Sequence, residues 1–291
     1  AIGALLGGAI GIGLAPIFVR LSEVGPVATA FYRLLFALPV LWSWMYLAGR
    51  SHSSASRVTV VLARPTGRSA WMFGAAGFFF AGDLAFWHWS IKLTSVANST
   101  LLTNFAPFFV VLGASILFHE RITPILVVGM LLAFAGGILL VSDSLRLEWK
   151  HVWGDLLAIV TAIFYAAYLL AIKFLRRTYS PPTIMAWAGL VTCPLLMVAA
   201  WVGGENFLAL SWKGWLVLLL LALLSHVAGQ GLITYAAAHL SASLLSISLM
   251  LQPVVAAVLA WILLNEPLSW QQIAGGIVIL AGIALASQAK S

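Results

Sequence analysis

Charge is what this sequence has least of: Asp, Glu, Lys and Arg make up 8% of its 291 residues, and 63% are hydrophobic. Soluble domains carry roughly 25% charged residues, so a water-soluble fold is excluded. Cysteine is nearly absent as well. The single Cys193 lies in an apolar run beside Pro194, which excludes a disulfide framework and a cysteine metal cluster. Paired carboxylates, a Ser/His/Asp arrangement and His metal spacings are also missing. His52, His88, His119, His151, His226 and His239 are scattered over different apolar segments and connections, so nothing points to an enzyme, a metal or a cofactor. There is no GxxxxGK[ST] signature, and ATP-driven work would need a second subunit. The net charge of +7 is an argument about membrane orientation rather than nucleic acid.

Long apolar runs are what the chain does have. A membrane-spanning helix needs about 20 apolar residues to cross a hydrocarbon core of about 30 Å. Breaks at charged residues, Pro and Gly predict ten such helices, near 1–19, 27–48, 70–91, 97–118, 124–142, 153–172, 183–202, 214–236, 242–264 and 269–288. Unbroken runs such as Trp215 to Leu224 lack the alternation of a β-barrel. The expected fold class is therefore an all-α integral membrane protein. The chain opens in an apolar stretch with no initiator methionine and no basic n-region, so a short native tail is expected ahead of it and no signal peptide is read.

Basic residues set the orientation. The polar connection 49–69 carries Arg50, Arg57, Arg64 and Arg68, and the one after the sixth span carries Lys173, Arg176 and Arg177. Placing their side in the cytoplasm puts nine Lys/Arg inside, Arg121 and Lys290 included, against Arg20, Lys92, Arg146, Lys150 and Lys213 outside. Both termini are then cytoplasmic, and residues 51–68 read as a mobile loop. Trp71, Trp149, Trp153, Trp212 and Trp270, at span ends, read as interfacial anchors.

The two halves resemble each other. An offset of 146 residues pairs Pro107 with Pro253, Glu120 with Glu266, Gly129 with Gly275, Gly136 with Gly282 and Leu139 with Leu285, without a gap over 107–142. Nearer the N-terminus an offset of 155 pairs Pro26 with Pro181 and Pro39 with Pro194. Two five-span units are expected, 1–142 and 143–291. An odd number of spans inverts the second unit in the membrane, an architecture of secondary transporters whose substrate site lies between the copies.

The run Ser95-Val96-Ala97, Pro107, Leu117-Phe118-His119-Glu120-Arg121, Gly129 and Gly136, repeated as Ser241-Ala242-Ser243, Pro253, Leu264-Asn265-Glu266-Pro267, Gly275 and Gly282, resembles the EamA domains of the drug/metabolite transporter superfamily. Within that superfamily the chain is most similar to YddG-type exporters of aromatic and other amino acids. The resemblance covers nearly the whole chain. It implies ten helices with both termini cytoplasmic, and export of small metabolites by alternating access without ATP.

Polar residues inside the spans are the candidates for carrying transport, because each costs about 3 kcal/mol to insert when charged. Asp83 and Arg33 both fall about 10 Å deep on the outer side, where they form a possible ion pair that serves either structure or substrate. His226, Gln230 and Thr234 follow at i, i+4 and i+8 on one helical face and are expected to line the pathway. Thr161, Tyr165 and Tyr168 share a face of the sixth span, Thr100, Thr103 and Asn104 a face of the fourth, and Phe79, Phe80, Asp83, Phe86, Trp87 and Ser90 an arc of the third. The expected substrate-binding set is Asp83, Trp87, Thr100, Asn104, Thr161, Tyr165, Tyr168, His226 and Gln230. Pro107 and Pro253, near the midplane, are expected hinges. His88 is expected at the interface, Glu120 and Glu266 as caps or tethers, and Gly3, Gly7 and Gly11 as a packing stripe.

The expected function is secondary export of small amphipathic metabolites, foremost amino acids, across the bacterial cytoplasmic membrane, with the solute and membrane lipid as partners and no nucleic acid. Three alternatives stand beside it. A phosphorylated-metabolite carrier would need more than the single intramembrane Arg33; a cationic drug exporter would use Asp83 as counter-ion; an intramembrane enzyme or sensor would move no solute.

Overall fold

Hydrocarbon offers a backbone no hydrogen-bonding partner, so spanning segments must satisfy their own N–H and C=O groups. The computed structural model describes residues 1–51, 67–142, 152–264 and 267–289, and every regular element among them is helical. Among the described residues nine helical stretches are long and apolar enough to cross a membrane: Ile2–Leu21, Pro26–Ala48, Ser69–Leu93, Asn98–Phe118, Pro124–Val141, Val152–Leu175, Pro181–Val202, Trp212–Ala236 and Ala242–Leu263. A tenth apolar helix, Trp270–Ala286, is shorter. These match the ten expected spans within a few residues. Trp71, Trp153, Trp212 and Trp270 are strongly exposed near span ends, as interfacial anchors are. Trp149, the loop 52–66, His52, His151 and Glu266 lie outside the described residues.

Four of the spans are not simple α-helices. The first divides into α1 (Ile2–Gly13) and α2 (Ala15–Leu21), with Pro16 in the first turn of α2. α3 (Pro26–Ser51) and α4 (Arg68–Leu93) are continuous. The fourth span divides into α5 (Val96–Thr103) and α6 (Ala106–Phe118), followed by α7 (Pro124–Val141), α8 (Val152–Leu175) and α9 (Pro181–Val202). The eighth runs from α10 (Trp212–Leu220) through a π-helical segment (Leu221–Gln230) into α11 (Gly231–Ala236). The ninth divides into α12 (Ala242–Ser248) and α13 (Leu251–Leu264), and α14 (Trp270–Ala286) closes the chain.

The breaks in the fourth and ninth spans are alike. The Asn104 N–H donates to the Leu101 carbonyl at 3.1 Å, and 146 residues on the Met250 N–H donates to Ile247 at 3.1 Å. Pro107 and Pro253 therefore fall in the first turn of a restarted helix, where the missing N–H leaves little unsatisfied. α5 and α12 are N-capped at the same offset, by Ser95 accepting from the Asn98 N–H and Ser241 from the Leu244 N–H.

Helix contacts exchange when the halves are exchanged. α8 packs on α4, α5 and α6, and α1 packs on the π segment, α11, α12 and α13; α3 pairs with α9 and α7 with α14. Glycines set the closest approaches. A Cβ at Gly136 would lie 2.7 Å from the Gly275 carbonyl oxygen, and one at Gly129 would lie 2.7 Å from that of Gly282. Residues rising in α7 thus meet residues falling in α14, so the two helices are antiparallel. On α1 the close contacts are at Gly8 and Gly11, against Gly229 and Ile233 of the eighth span, and at Gly13 against Val255; Gly3 faces open space. Only one of the three glycines of the expected stripe is therefore pressed against backbone. The stripe's four-residue spacing does not coincide with the face that α1 turns inward.

Gly136→Leu or Gly275→Leu is expected to destabilise the protein by about 1–3 kcal/mol through overpacking, whereas Gly3→Leu is expected to leave it unchanged. Thermal unfolding in detergent is the measurement; equal midpoints for the three variants would refute the proposed role of the α7–α14 seam.

Candidate functional site

The expected site residues divide into those the fold brings together and those it keeps apart. Arg33 on α3, Asp83 and Phe80 on α4, Tyr168 on α8, and His226 and Gln230 on the π segment are all buried, with between 1% and 8% of their surface exposed. Both halves of the chain contribute. Phe80 stacks on Tyr168, with ring centroids 4.4 Å apart, and on His226 at 5.6 Å. The Gln230 Nε2 donates to the Tyr168 hydroxyl at 3.2 Å. Tyr165 stacks beside Tyr168 at 6.5 Å. Arg33 lies within electrostatic reach of Asp83, Tyr165, Tyr168 and His226.

Several polar atoms of this centre have no partner among the described residues. These are Arg33 Nε, both ring nitrogens of His226, Gln252 Nε2 on α13, and the neighbouring Ser225 Oγ. Arg33 and Asp83 share the centre without making an ion pair, and the described hydrogen bonds include none to the Asp83 carboxylate. Gln252, which lies near the Tyr165 hydroxyl, is the member that sequence reasoning missed. Its signal was a lone amide in an apolar span immediately before Pro253. The helix break at Leu249–Met250 sets it at the start of α13.

Other candidates are placed elsewhere. Thr161 donates to the Leu157 carbonyl and Thr234 to that of Gln230, the back-bonding with which Ser and Thr satisfy themselves inside a helix. Thr234 thus leaves the expected polar stripe, whose remaining members are His226 and Gln230. Asn104 turns its amide toward Gly137 of α7. Thr100 and Trp87 are half-buried, and Trp87 packs edge-on against His88 at 4.9 Å. No described contact joins Trp87, Thr100 or Asn104 to the polar centre. Phe79 and Phe86 pack on Phe164 rather than on the centre, which leaves Phe80 as the inward ring of the third-span arc. His88, expected at the interface, is buried with Nδ1 on the Leu84 carbonyl oxygen at 2.5 Å, because α4 continues past it to Leu93. A cavity of about 280 Å³ between α5 and α8, lined by Leu101, Leu102, Leu156 and Ile159 with Asn98 and Asp155 at its edge, is separate from these groups.

Polar latches close both ends of the bundle. At the end where α3 begins, Glu205 accepts from the Ala28 N–H at 2.9 Å and pairs with Lys92 at 2.6 Å, and Tyr32 donates to the Phe207 carbonyl at 2.8 Å. Glu23 accepts from the Ser211 hydroxyl and N–H at 2.6 and 2.8 Å, and these bonds hold its carboxyl below the ordinary carboxylate range. At the opposite end Glu120 accepts from the N–H groups of Ala242 and Ser243 and from the Ser243 hydroxyl, at 2.7, 3.1 and 2.8 Å. It caps α12 across the boundary between the halves. Beside it Lys173 donates to the Leu240 carbonyl and Arg176 to that of Thr234. The centre is thus sealed from both sides.

A model of the EamA-like transporter family matches residues 1–142 and again residues 152–288. The chain belongs to the EamA-like transporter family. Membership makes it a multi-pass membrane transporter of small molecules and not an enzyme. An uncharacterized transporter of Archaeoglobus fulgidus is 29% identical over 277 residues, 92% of this chain and 91% of that protein. A pseudopaline exporter of Pseudomonas aeruginosa is 26% identical over 211 residues, 71% of each chain. A probable amino-acid metabolite efflux pump of Salmonella typhimurium is 26% identical over 220 residues, 69% of this chain and 71% of that one. A solved crystal structure superposes with a TM-score of 0.77 at 21% identity, covering 99% of this chain and 97% of the other, and shows that the EamA-like chain adopts an established fold.

The sealed geometry gives an accessibility prediction. With Cys193 replaced by Ser, a cysteine at Tyr165 is expected to react slowly with a membrane-impermeant maleimide, and several-fold faster once Glu205→Gln or Glu120→Gln loosens one end. Unchanged rates in both variants would show that these carboxylates do not hold the ends shut. The Glu23 bond adds a pH dependence. A depressed folded-state value means that its contribution is complete above the ordinary carboxylate pKa and is lost as pH falls through the depressed value, so Glu23→Gln is expected to flatten the acid side of the stability profile.

Proposed function

We propose that the protein exports amino acids, aromatic and other neutral ones among them, across the bacterial cytoplasmic membrane by alternating access. Its two halves, 1–142 and 143–291, are read as inverted five-helix repeats with both termini in the cytoplasm. One observation carries the substrate reading: a buried centre built by both halves holds a cation, Arg33, whose Nε has no partner among the described residues, near the Asp83 carboxylate and beside stacked aromatic rings. A zwitterion needs both signs at its head, and an apolar side chain needs rings. The antiparallel α7–α14 seam and the exchange of helix contacts between halves support the inverted-repeat reading. The amino-acid metabolite efflux pump among the relatives supports the substrate class. A phosphorylated solute fits less well, since Arg33 is the one Lys or Arg of this centre.

Purified protein in liposomes loaded with a panel of amino acids, with and without a proton gradient, provides the test. Release of neutral amino acids above empty-liposome controls is expected. Movement of organic cations alone, abolished by Asp83→Asn, would instead make it a cation exporter, and no movement of any solute would exclude export.

Two residue classes are expected to behave differently in that assay. Ala at Tyr165 or Tyr168 removes ring contact of about 1 kcal/mol, so export of tryptophan should fall about fivefold more than export of alanine; equal losses on stable variants would refute an aromatic wall. Pro107→Ala and Pro253→Ala are expected to slow turnover more than they weaken binding, because a hinge governs interconversion rather than contact. Weaker binding at an unchanged rate would make these prolines part of the binding surface.

A further inference from the structure

We infer that Arg33, Gln252 and His226 form a receptor for the carboxylate of the transported solute, so that a free carboxylate, rather than an amine alone, is what admits a molecule to the centre. The inference rests on the export reading above and assigns the head group at that same site.

The argument is one of hydrogen-bond accounting. Arg33 Nε and Gln252 Nε2 are obligate donors, and a neutral imidazole offers one donor and one acceptor. All of these atoms are buried without a partner among the described residues. Buried polar groups are ordinarily paired, and leaving one unpaired is costly. Three such groups gathered from α3, α13 and the π segment therefore describe what is missing from among them. Arg33 reaches His226 and Tyr165 electrostatically, and Gln252 lies near the same Tyr165 hydroxyl, so the three belong to one neighbourhood. Donors outnumber acceptors, and one donor is a guanidinium whose charge prefers an anion. An amine or a quaternary ammonium would leave all the donors unmet, whereas a carboxylate has two oxygens with which to accept from them.

The surroundings fix the polarity further. The other amide of the centre, Gln230, already spends its Nε2 on Tyr168, and Thr234 and Thr161 spend their hydroxyls on backbone carbonyls. The unspent donors of the centre are thus those of Arg33, Gln252 and His226, with the Ser225 hydroxyl next to His226 in the chain. Asp83, the carboxylate within electrostatic reach of Arg33, is left for the ammonium of an amino acid. Two of the three receptor groups lie on irregular backbone. His226 is in the π segment and Gln252 follows the break before α13, and irregular backbone at membrane depth is tolerated where it lines a cavity.

The test measures equilibrium binding to purified protein with matched probes: L-alanine and ethylamine, L-leucine and isoamylamine, L-phenylalanine and phenethylamine. At least one amino acid is expected to bind tenfold or more tightly than its amine. Gln252→Met and His226→Phe keep size and ring stacking while removing the nitrogens, and each is expected to shrink that ratio to threefold or less with the amine's own affinity unchanged. A ratio near one in the unmodified protein, or a ratio that survives both substitutions in variants of unchanged thermal stability, overturns the receptor. Where one variant fails to fold, the other decides. If the amines are exported from liposomes as well as the amino acids, the receptor falls and export stands; if no solute moves, export falls, and the binding ratio still decides the receptor.

Discussion

Polar groups in hydrocarbon must be satisfied from within the protein or by what the protein carries, and every departure from simple helices here answers to that constraint. Where the chain has no use for a polar group it is spent at once: Thr103, Thr161 and Thr234 donate to carbonyls one turn back. Where α5 and α12 start, Ser and Glu side chains meet the bare N–H groups. Apart from His88 Nε2, the buried side-chain groups left without a partner among the described residues are those of Arg33, Ser225, His226 and Gln252, on elements from both halves, and they are the basis of the receptor proposed above.

Lipid provides no hydrophobic force to press helices together, so close packing has to come from small residues. The repeated glycines of α7 and α14 meet each other rather than their own copies: Gly129 lies against Gly282 and Gly136 against Gly275. A two-fold exchange of antiparallel helices requires this crossing, and one set of glycines thereby serves both sides of a seam. α3 and α9, by contrast, enclose larger side chains, with Gly189 against Leu38. One pair is built for close backbone contact and the other leaves room beside it for Arg33.

The spans, their ends and the doubled arrangement of glycines and prolines were legible in the sequence because each rests on composition or on a local backbone rule. Tyr165, Tyr168, His226, Gln230, Asp83 and Arg33 were legible as polar residues at membrane depth. Periodicity failed at the next level. A rotation of 100° per residue put Thr234 on the face of His226 and Gln230, but the π segment changes the winding at that point, and Thr234 is in any case satisfied by its own helix. The same rule made Asn104 and Thr100 candidates, although α5 turns the Asn104 amide toward α7. Gln252 escaped because its neighbour Pro253 was read as a hinge, while its role in the centre depends on a break three residues earlier.

That break also connects the centre with one sealed end. Glu120 caps the first residues of α12, and α12 leads to the Leu249–Met250 junction from which Gln252 projects. Gly13 of α1 is pressed against Val255 and the Gln252 carbonyl, which ties the first span to the same junction. The cap at Glu120, the close approach of the first span and the Gln252 amide thus all lie within about a dozen residues of the ninth span, which is why the break matters more to the centre than the proline beside it.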